Sequence, residues 1–232
     1  MAASPGIADG THEGRRLSEL RNEYLTALGI PIWVQRGAET DAVDAGASDW
    51  EDLAGQVRAC TRCALHTSRT QTVFGVGNTN ADLLIIGEAP GADEDRQGEP
   101  FVGRAGQLLN AMLGAVHLAR GDVYIANILK CRPPSNRDPK PAEAEACTPY
   151  LERQIAFIEP KVILAVGRIA AQWLLQSDQP IGRLRGTVHS YGTANTPLVA
   201  SYHPAYLLRS PLAKAKAWED LVLVSRILND PL

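Results

Sequence analysis

Cys60, Cys63, Cys131 and Cys147 are the four cysteines of a 232-residue chain, and the first two form a C-x-x-C pair. In a reducing compartment thiols are poor candidates for stabilising disulfides, so this pattern points to a bound metal or cluster. A C-x-x-C turn supplies two ligands, and Cys131 and Cys147 can complete a set of four thiolates once the fold brings them together. Such a set suits zinc as well as a [4Fe–4S] cluster, and spacing does not separate the two. Either way its role is structural, because it ties a segment ahead of the first long apolar run to the middle of the chain.

A second chemistry-bearing segment runs from Gly87-Glu88-Ala89-Pro90-Gly91 to Gly103-Arg104-Ala105-Gly106. It is not G-x-G-x-x-G and has no lysine before Ser or Thr, so a dinucleotide or nucleoside triphosphate site is disfavoured, and its acidic run repels phosphate. Glycines at this density permit close approach of backbone to a ligand, and Phe101 beside Pro100 offers a flat apolar face on which a heterocycle could stack. The plainer alternative is a long surface loop with Phe101 tucked into the core.

Elements must bring these residues together. Apolar runs and helical patterns alternate as strand Asp82–Gly87, helix Gly103–Leu118, strand Val123–Lys130, helix Pro141–Ile158, strand Lys161–Gly167 and helix Arg168–Gln176. That alternation predicts a parallel sheet with helices on both faces. Thr187–Tyr202, with turn residues Gly192–Asn195, reads as strands joined by a hairpin-like turn, and Leu212–Leu228 as the last helix. Upstream, Ser48 and Glu51 form a capping box for a helix through Trp50, Leu53 and Val57 that runs into Cys60. Ligands of open parallel sheets collect beyond the carboxyl ends of the strands. Gly87–Gly103, Asn127–Lys140 and His203–Arg209 fall there.

The remainder of the chain sets bounds. Residues 1–16 are small and polar and are expected to be disordered. Leu17, Leu20, Tyr24 and Leu28 recur at helical spacing before Gly29 and Pro31, and 37–47 reads as an acidic linker. The expected division is an N-terminal extension over 1–47 and a folded domain over 48–232. The net charge of -3 is unevenly spread: residues 1–59 hold 10 acidic and 5 basic side chains, the rest 16 and 18. A mildly basic body permits a local phosphate-binding surface. The longest apolar runs, Leu83–Ile86 and Val162–Val166, are far shorter than the ~20 residues that cross a bilayer. No secretory signal is readable at the N-terminus, so a cytoplasmic protein without a membrane is expected.

Four ordered motifs now carry a resemblance. The Gly87–Gly91 run, Pro100–Leu109 (PFVGRAGQLL), Tyr124–Pro134 (YIANILKCRPP) and Tyr202–Arg209 (YHPAYLLR), with the four cysteines, resemble the family-4 uracil-DNA glycosylases over roughly Ser48–Leu228. The resemblance implies a three-layer α/β/α sandwich around a short, mainly parallel sheet, and hydrolysis of the N-glycosidic bond of uracil in DNA. It also implies a [4Fe–4S] cluster on Cys60, Cys63, Cys131 and Cys147.

By the same likeness each site residue acquires a role. An extruded base is read on its Watson–Crick edge. The resemblance gives that task to Asn127, whose amide can donate to O4 and accept from N3–H, while Phe101 stacks and Ala89 belongs to the uracil pocket. His203 matches the donor that stabilises charge on the departing uracil at O2. Ala89 stands where a better-known branch of the superfamily has an aspartate, which excludes a general base at that position. Glu88 is expected to position the water or the sugar. Arg132, Arg137, Lys140 and Arg209, with Lys214 and Lys216, are read as phosphate contacts, and Leu207 or Leu208 as the exposed wedge that fills the vacated base stack. A monofunctional enzyme that turns over as a monomer on uracil-containing DNA is expected, with an unknown partner for the extension left open. The alternative from another class is a non-catalytic nucleic-acid-binding or redox-sensing protein with a metal clip.

Overall fold

The structure is a computed structural model, described here over residues 50–229. The expected helix over 17–28, the linker over 37–47, the capping box at Ser48 and the extension's partner lie outside the described residues.

Six strands form one sheet in the order β1-β3-β2-β4-β6-β5. They are β1 Val76–Gly77, β2 Leu83–Gly87, β3 Tyr124–Asn127, β4 Val162–Val166, β5 Val188–Tyr191 and β6 Thr196–Ser201. The central four, β3-β2-β4-β6, are parallel, and β1 and β5 close the edges antiparallel. Every residue of β2 and β4 is buried, as a parallel sheet covered on both faces requires.

Alternate residues of each strand feed opposite layers. On one face Leu84, Ile86, Ile163 and Ala165 pack with helices α1 (Trp50–Ala59), α4 (Pro141–Ile158) and α5 (Arg168–Leu174). On the other, Leu83, Ile85, Val162 and Leu164 pack with α3 (Arg104–Ala115) and α8 (Lys214–Asn229). The expected three-layer sandwich is therefore present. Helix α1 is pinned through Leu53 and Val57, and its Trp50 ring meets Phe74, Tyr124 and Phe157 edge-on at 5.2, 5.1 and 6.0 Å. That docking delivers Cys60 and Cys63 to the same face as α4.

Three local features differ from the sequence reading. The acidic run after Gly91 is a six-residue helix, α2 (Ala92–Gln97), rather than loop. Its acids serve local backbone: Glu94 accepts from the N–H of Gly91 at 3.1 Å, and buried Asp95 accepts from Thr70 N–H at 2.9 Å. Strand β3 stops at Asn127 instead of Lys130, although the Ile128 and Leu129 N–H groups still donate to Gly87 O and Glu88 O. Two further short helices, α6 (Ile181–Leu184) and α7 (Pro204–Arg209), fill segments too brief for a periodic signal.

Candidate active site and cysteine cage

The register of the sheet sets the site. Gly87 at the end of β2 lies beside Asn127 at the end of β3, and Gly167, just past β4, donates its N–H to Ser201 O at the end of β6 at 2.8 Å. Two glycines clear the space. A Cβ on Gly87 would stand 2.4 Å from Asn127 Oδ1 and 2.9 Å from the Phe101 ring. One on Gly167, whose φ is +103°, would stand 3.1 Å from His203 Cβ. Backbone without side chains at two strand ends is what lets Asn127, Phe101 and His203 converge.

They converge in a cleft of about 500 Å³ that is also lined by Glu88, Ala89, Arg137 and Arg209. Asn127 is 2% exposed, and its backbone carbonyl accepts from Lys130 Nζ at 2.9 Å. Phe101 is held in an unusual backbone conformation (φ +54°), with Arg120 donating to the carbonyls of Pro100 and Phe101. Its ring lies 5.5 Å from that of His203, at 28° between planes. Phe101 thus lines the cleft while only 7% exposed, with most of its ring packed in the core.

His203 caps α7, and its Nδ1 accepts the Ala205 N–H at 3.1 Å. An accepting Nδ1 fixes the neutral tautomer with its proton on Nε2. Burial pushes the imidazole down to about 4, helped by Arg209 and opposed by Glu94. The ring is therefore a neutral hydrogen-bond donor at physiological pH. Burial lifts the Glu88 carboxyl to about 7, with Asp138 pushing the same way and Arg168 opposing. The site thus holds a carboxyl that exchanges a proton near neutrality beside an imidazole that does not.

The four cysteines line one separate cavity together with Arg62, Arg69 and Lys130. Burial pushes the Cys147 thiol up to about 12 and raises Cys63 and Cys131, so these sulfurs hold negative charge only with cationic help. Some help is built in: Arg69 Nη1 donates to Cys131 Sγ at 3.0 Å and the Lys130 N–H to Cys147 Sγ at 3.2 Å. Arg62 Nη1 is buried without a hydrogen-bond partner. Yet among the described residues no three His, Cys, Asp or Glu meet closely enough to hold one metal ion. Four cysteines around one cavity, with a buried and unpaired Arg62 N–H on the same lining residue set, fit an anionic thiolate-bound group, a zinc ion and a [4Fe–4S] cluster alike.

The expected DNA-contact residues are not all at the cleft. Arg137 reaches it but spends two donors on the buried Glu143 carboxylate, at 2.8 and 2.6 Å. Arg132 donates to Asn136 Oδ1, and Lys140 stands at the N-cap of α4; neither lines the cleft. Lys214 borders an apolar groove with Leu108 and Trp218, and the Lys216 carbonyl accepts from Arg185. Of the two leucines expected as an exposed wedge, Leu207 or Leu208, the first is buried: at 1% exposure it packs from α7 against α3 and α8, because Pro204 and Leu207 form the buried side of α7. Leu208 is exposed but does not line the cleft, whereas Tyr206, 41% exposed, does.

Sequence reasoning passed over Tyr206, Arg120, Asp138 and Lys130. Tyr206 and Lys130 lie inside motifs already singled out, and a lysine between Leu129 and Cys131 is itself a sign of a buried charge. Nothing local marks Arg120 or Asp138.

Residues 74–222 match the family model described as the uracil DNA glycosylase superfamily. Curated relatives are similar over most of their length. The Type-4 uracil-DNA glycosylase of Archaeoglobus fulgidus is 43% identical over 76% of this chain and 92% of its own. Those of Pyrobaculum aerophilum and Thermotoga maritima are 40% identical over 75% and 92%, and 42% identical over 69% and 83%.

Proposed function

This chain belongs to the uracil-DNA glycosylase superfamily, among its type-4 members, and on that footing we propose that it excises extruded uracil from DNA by hydrolysis, leaving an abasic site without a lyase step. The observation that carries this is the meeting of Glu88, Phe101, Asn127 and His203 in one cleft at the carboxyl ends of the parallel strands. Uracil-DNA glycosylase activity in DNA repair is the activity of the family.

A paired base is out of reach inside a duplex, so the nucleotide swings out and its pyrimidine enters the cleft. The Asn127 amide donates to O4 and accepts from N3–H. Cytosine reverses both polarities and leaves buried groups unpaired, at about 1–3 kcal/mol each. Phe101 supplies a face for the ring without distinguishing one base from another. As the C1′–N1 bond breaks, its electron pair stays on uracil, and His203 Nε2–H meets the growing charge at O2. A neutral donor suits this step, because no proton need be transferred for the anion to leave. Water adds to C1′, and Glu88 orients that water or the sugar and takes up the released proton. Ala89 carries no carboxylate and serves as pocket wall.

Cys60, Cys63, Cys131 and Cys147 would hold a [4Fe–4S] cluster. When bound it supplies a structural cross-link between the turn after α1, the end of β3 and α4. DNA phosphates are met at the cleft rim by Arg209 and the remaining donors of Arg137, giving affinity that falls with salt. No helix among the described residues is long and apolar enough to cross a membrane.

The test is an oligonucleotide with one uracil. Alkali-dependent cleavage is expected, and intact strands before alkali. Strand breaks without alkali would refute the monofunctional reading, and no cleavage at all would refute the function.

A further inference from the structure

Among the described residues Lys130 is the largest fully buried side chain, 1% exposed, and it has no part in the uracil chemistry proposed for the cleft. Its Nζ donates to the backbone carbonyl of Asn127 at 2.9 Å and to Gln154 Oε1. Gln154, itself 0% exposed, spends its amide on Phe74 O at 3.0 Å and on the Tyr124 hydroxyl at 3.4 Å, so its oxygen is directed to Lys130. The main chain of Lys130 faces the other way. Its N–H donates to Cys147 Sγ at 3.2 Å and its carbonyl accepts from Val73 N–H at 2.8 Å. No carboxylate forms an ion pair with Lys130 among the described residues. The groups beside it on that side are the sulfurs of Cys131 and Cys147.

A buried amino group is costly to desolvate and is kept where its hydrogen bonds fix something that packing cannot. Here it grips the peptide carbonyl of the base-reading asparagine at the point where β3 ends and the regular ladder stops. Beyond Asn127 the Ile128 and Leu129 N–H groups still donate to Gly87 O and Glu88 O, at 3.0 and 3.1 Å, before the chain reaches Cys131. An apolar side chain at 130 would leave the Asn127 carbonyl unpaired and that peptide held only from its other side, by Ile128 N–H on Gly87 O, so that the aim of the carboxamide loosens.

We propose that Lys130 is a positioning residue for uracil recognition: from the cysteine side of the fold it fixes the Asn127 backbone, and so aims the Asn127 amide. One buried residue thereby joins the cysteine cage to the base-reading edge. The proposal rests on the reading of Asn127 given above. It assigns Lys130 no contact with substrate.

A double-mutant cycle separates positioning from general structural support. Full-length, iron-loaded Lys130→Met, Asn127→Ala and the double variant are compared in single-turnover uracil release, with iron per chain and thermal midpoint measured alongside. Misplacement of a recognition group by about 1 Å costs on the order of 100-fold, so Lys130→Met is expected to lose roughly 10- to 100-fold beside native Asn127. In the Asn127→Ala background, where no amide remains to be aimed, it is expected to lose less than about threefold. Losses that multiply would overturn the proposal. Should Lys130→Met fail to fold or to hold iron, Lys130→Gln, whose amide can still donate to the Asn127 carbonyl, takes its place. Near-native rates are then expected, and a large loss with normal iron and midpoint would be equally fatal. Hydrogen exchange at the Ile128 amide provides a readout independent of activity. Faster exchange in Lys130→Met supports the positioning role even if the wild-type chain released no uracil, an outcome that would sink the functional reading instead. Unchanged exchange would count against the proposal.

Discussion

Replacing Gly87 by alanine adds one methyl group at the point where the two sides of the pocket meet. That carbon would lie 2.4 Å from Asn127 Oδ1 and 2.9 Å from the Phe101 ring, where ordinary contact begins at 3.4 Å. The amide must therefore retreat by about 1.0 Å and the ring by about 0.5 Å, or the strand must shift by as much. Gly87 has no positive φ, so crowding is the whole perturbation and backbone strain adds nothing. Overpacking of this size costs roughly 1–3 kcal/mol of folding stability. A recognition group displaced by about 1 Å costs on the order of 100-fold in rate. The assay is single-turnover uracil release from a single-stranded oligonucleotide at saturating enzyme, with the thermal midpoint and inhibition by free uracil measured in parallel. Gly114→Ala is the control. It lies within α3 with nothing inside 4 Å of its added carbon, and is expected to be neutral or stabilising by up to about 1 kcal/mol. If Gly87→Ala, correctly folded, released uracil within about threefold of the parent, the two residues would not be packed around a pyrimidine as described.

Activity is expected to rise with pH through about 7 as the Glu88 carboxyl ionises, and Glu88→Gln is expected to lower the plateau and flatten this limb; a profile unchanged by the substitution would remove Glu88 from the mechanism. His203, held near 4, is expected to add no limb between pH 5 and 8. The stability signs are opposite: Glu88, raised from 4.5, favours the fold fully below 4.5 and loses that contribution as pH rises through about 7, whereas His203, lowered from 6.5, favours it above 6.5 and loses it as pH falls through about 4. Serine at Cys131 or Cys147 is expected to abolish broad visible absorption, lower iron per chain and depress the thermal midpoint, and zinc in place of iron in the native protein would refute the cluster. Asn127→Asp places an acceptor-only carboxylate against O4, and is expected to lose about 2–4 kcal/mol of transition-state stabilisation on uracil, read as kcat/KM. Tyr206→Ala is expected to raise KM for uracil DNA several-fold while leaving inhibition by free uracil unchanged, since the ring stands at the rim and not in the pocket.

Much of this protein was legible in order along the chain. The all-apolar runs at 83–86 and 162–166 are readable as buried parallel strands because both their faces are covered, and the periodic span Pro141–Ile158 is a helix with those same ends. The residue types of the motifs, and the count of cysteines, named a chemistry before any contact was known. Sequence could not say how the pieces meet. Whether Leu207 or Tyr206 faces the cleft depends on which side of a six-residue helix packs against α3 and α8, and so short a helix has no period to read. Arg120 holds the Phe101 backbone from 19 residues away, and Lys130 is placed by Gln154 from 24, contacts that exist only once the sheet has set its register. The proton on His203 Nε2 and the elevated Glu88 carboxyl follow from burial and neighbouring charge. Those are properties of the surroundings in three dimensions, so the local sequence carried the parts and the tertiary packing decided their protonation, their orientation and their partners.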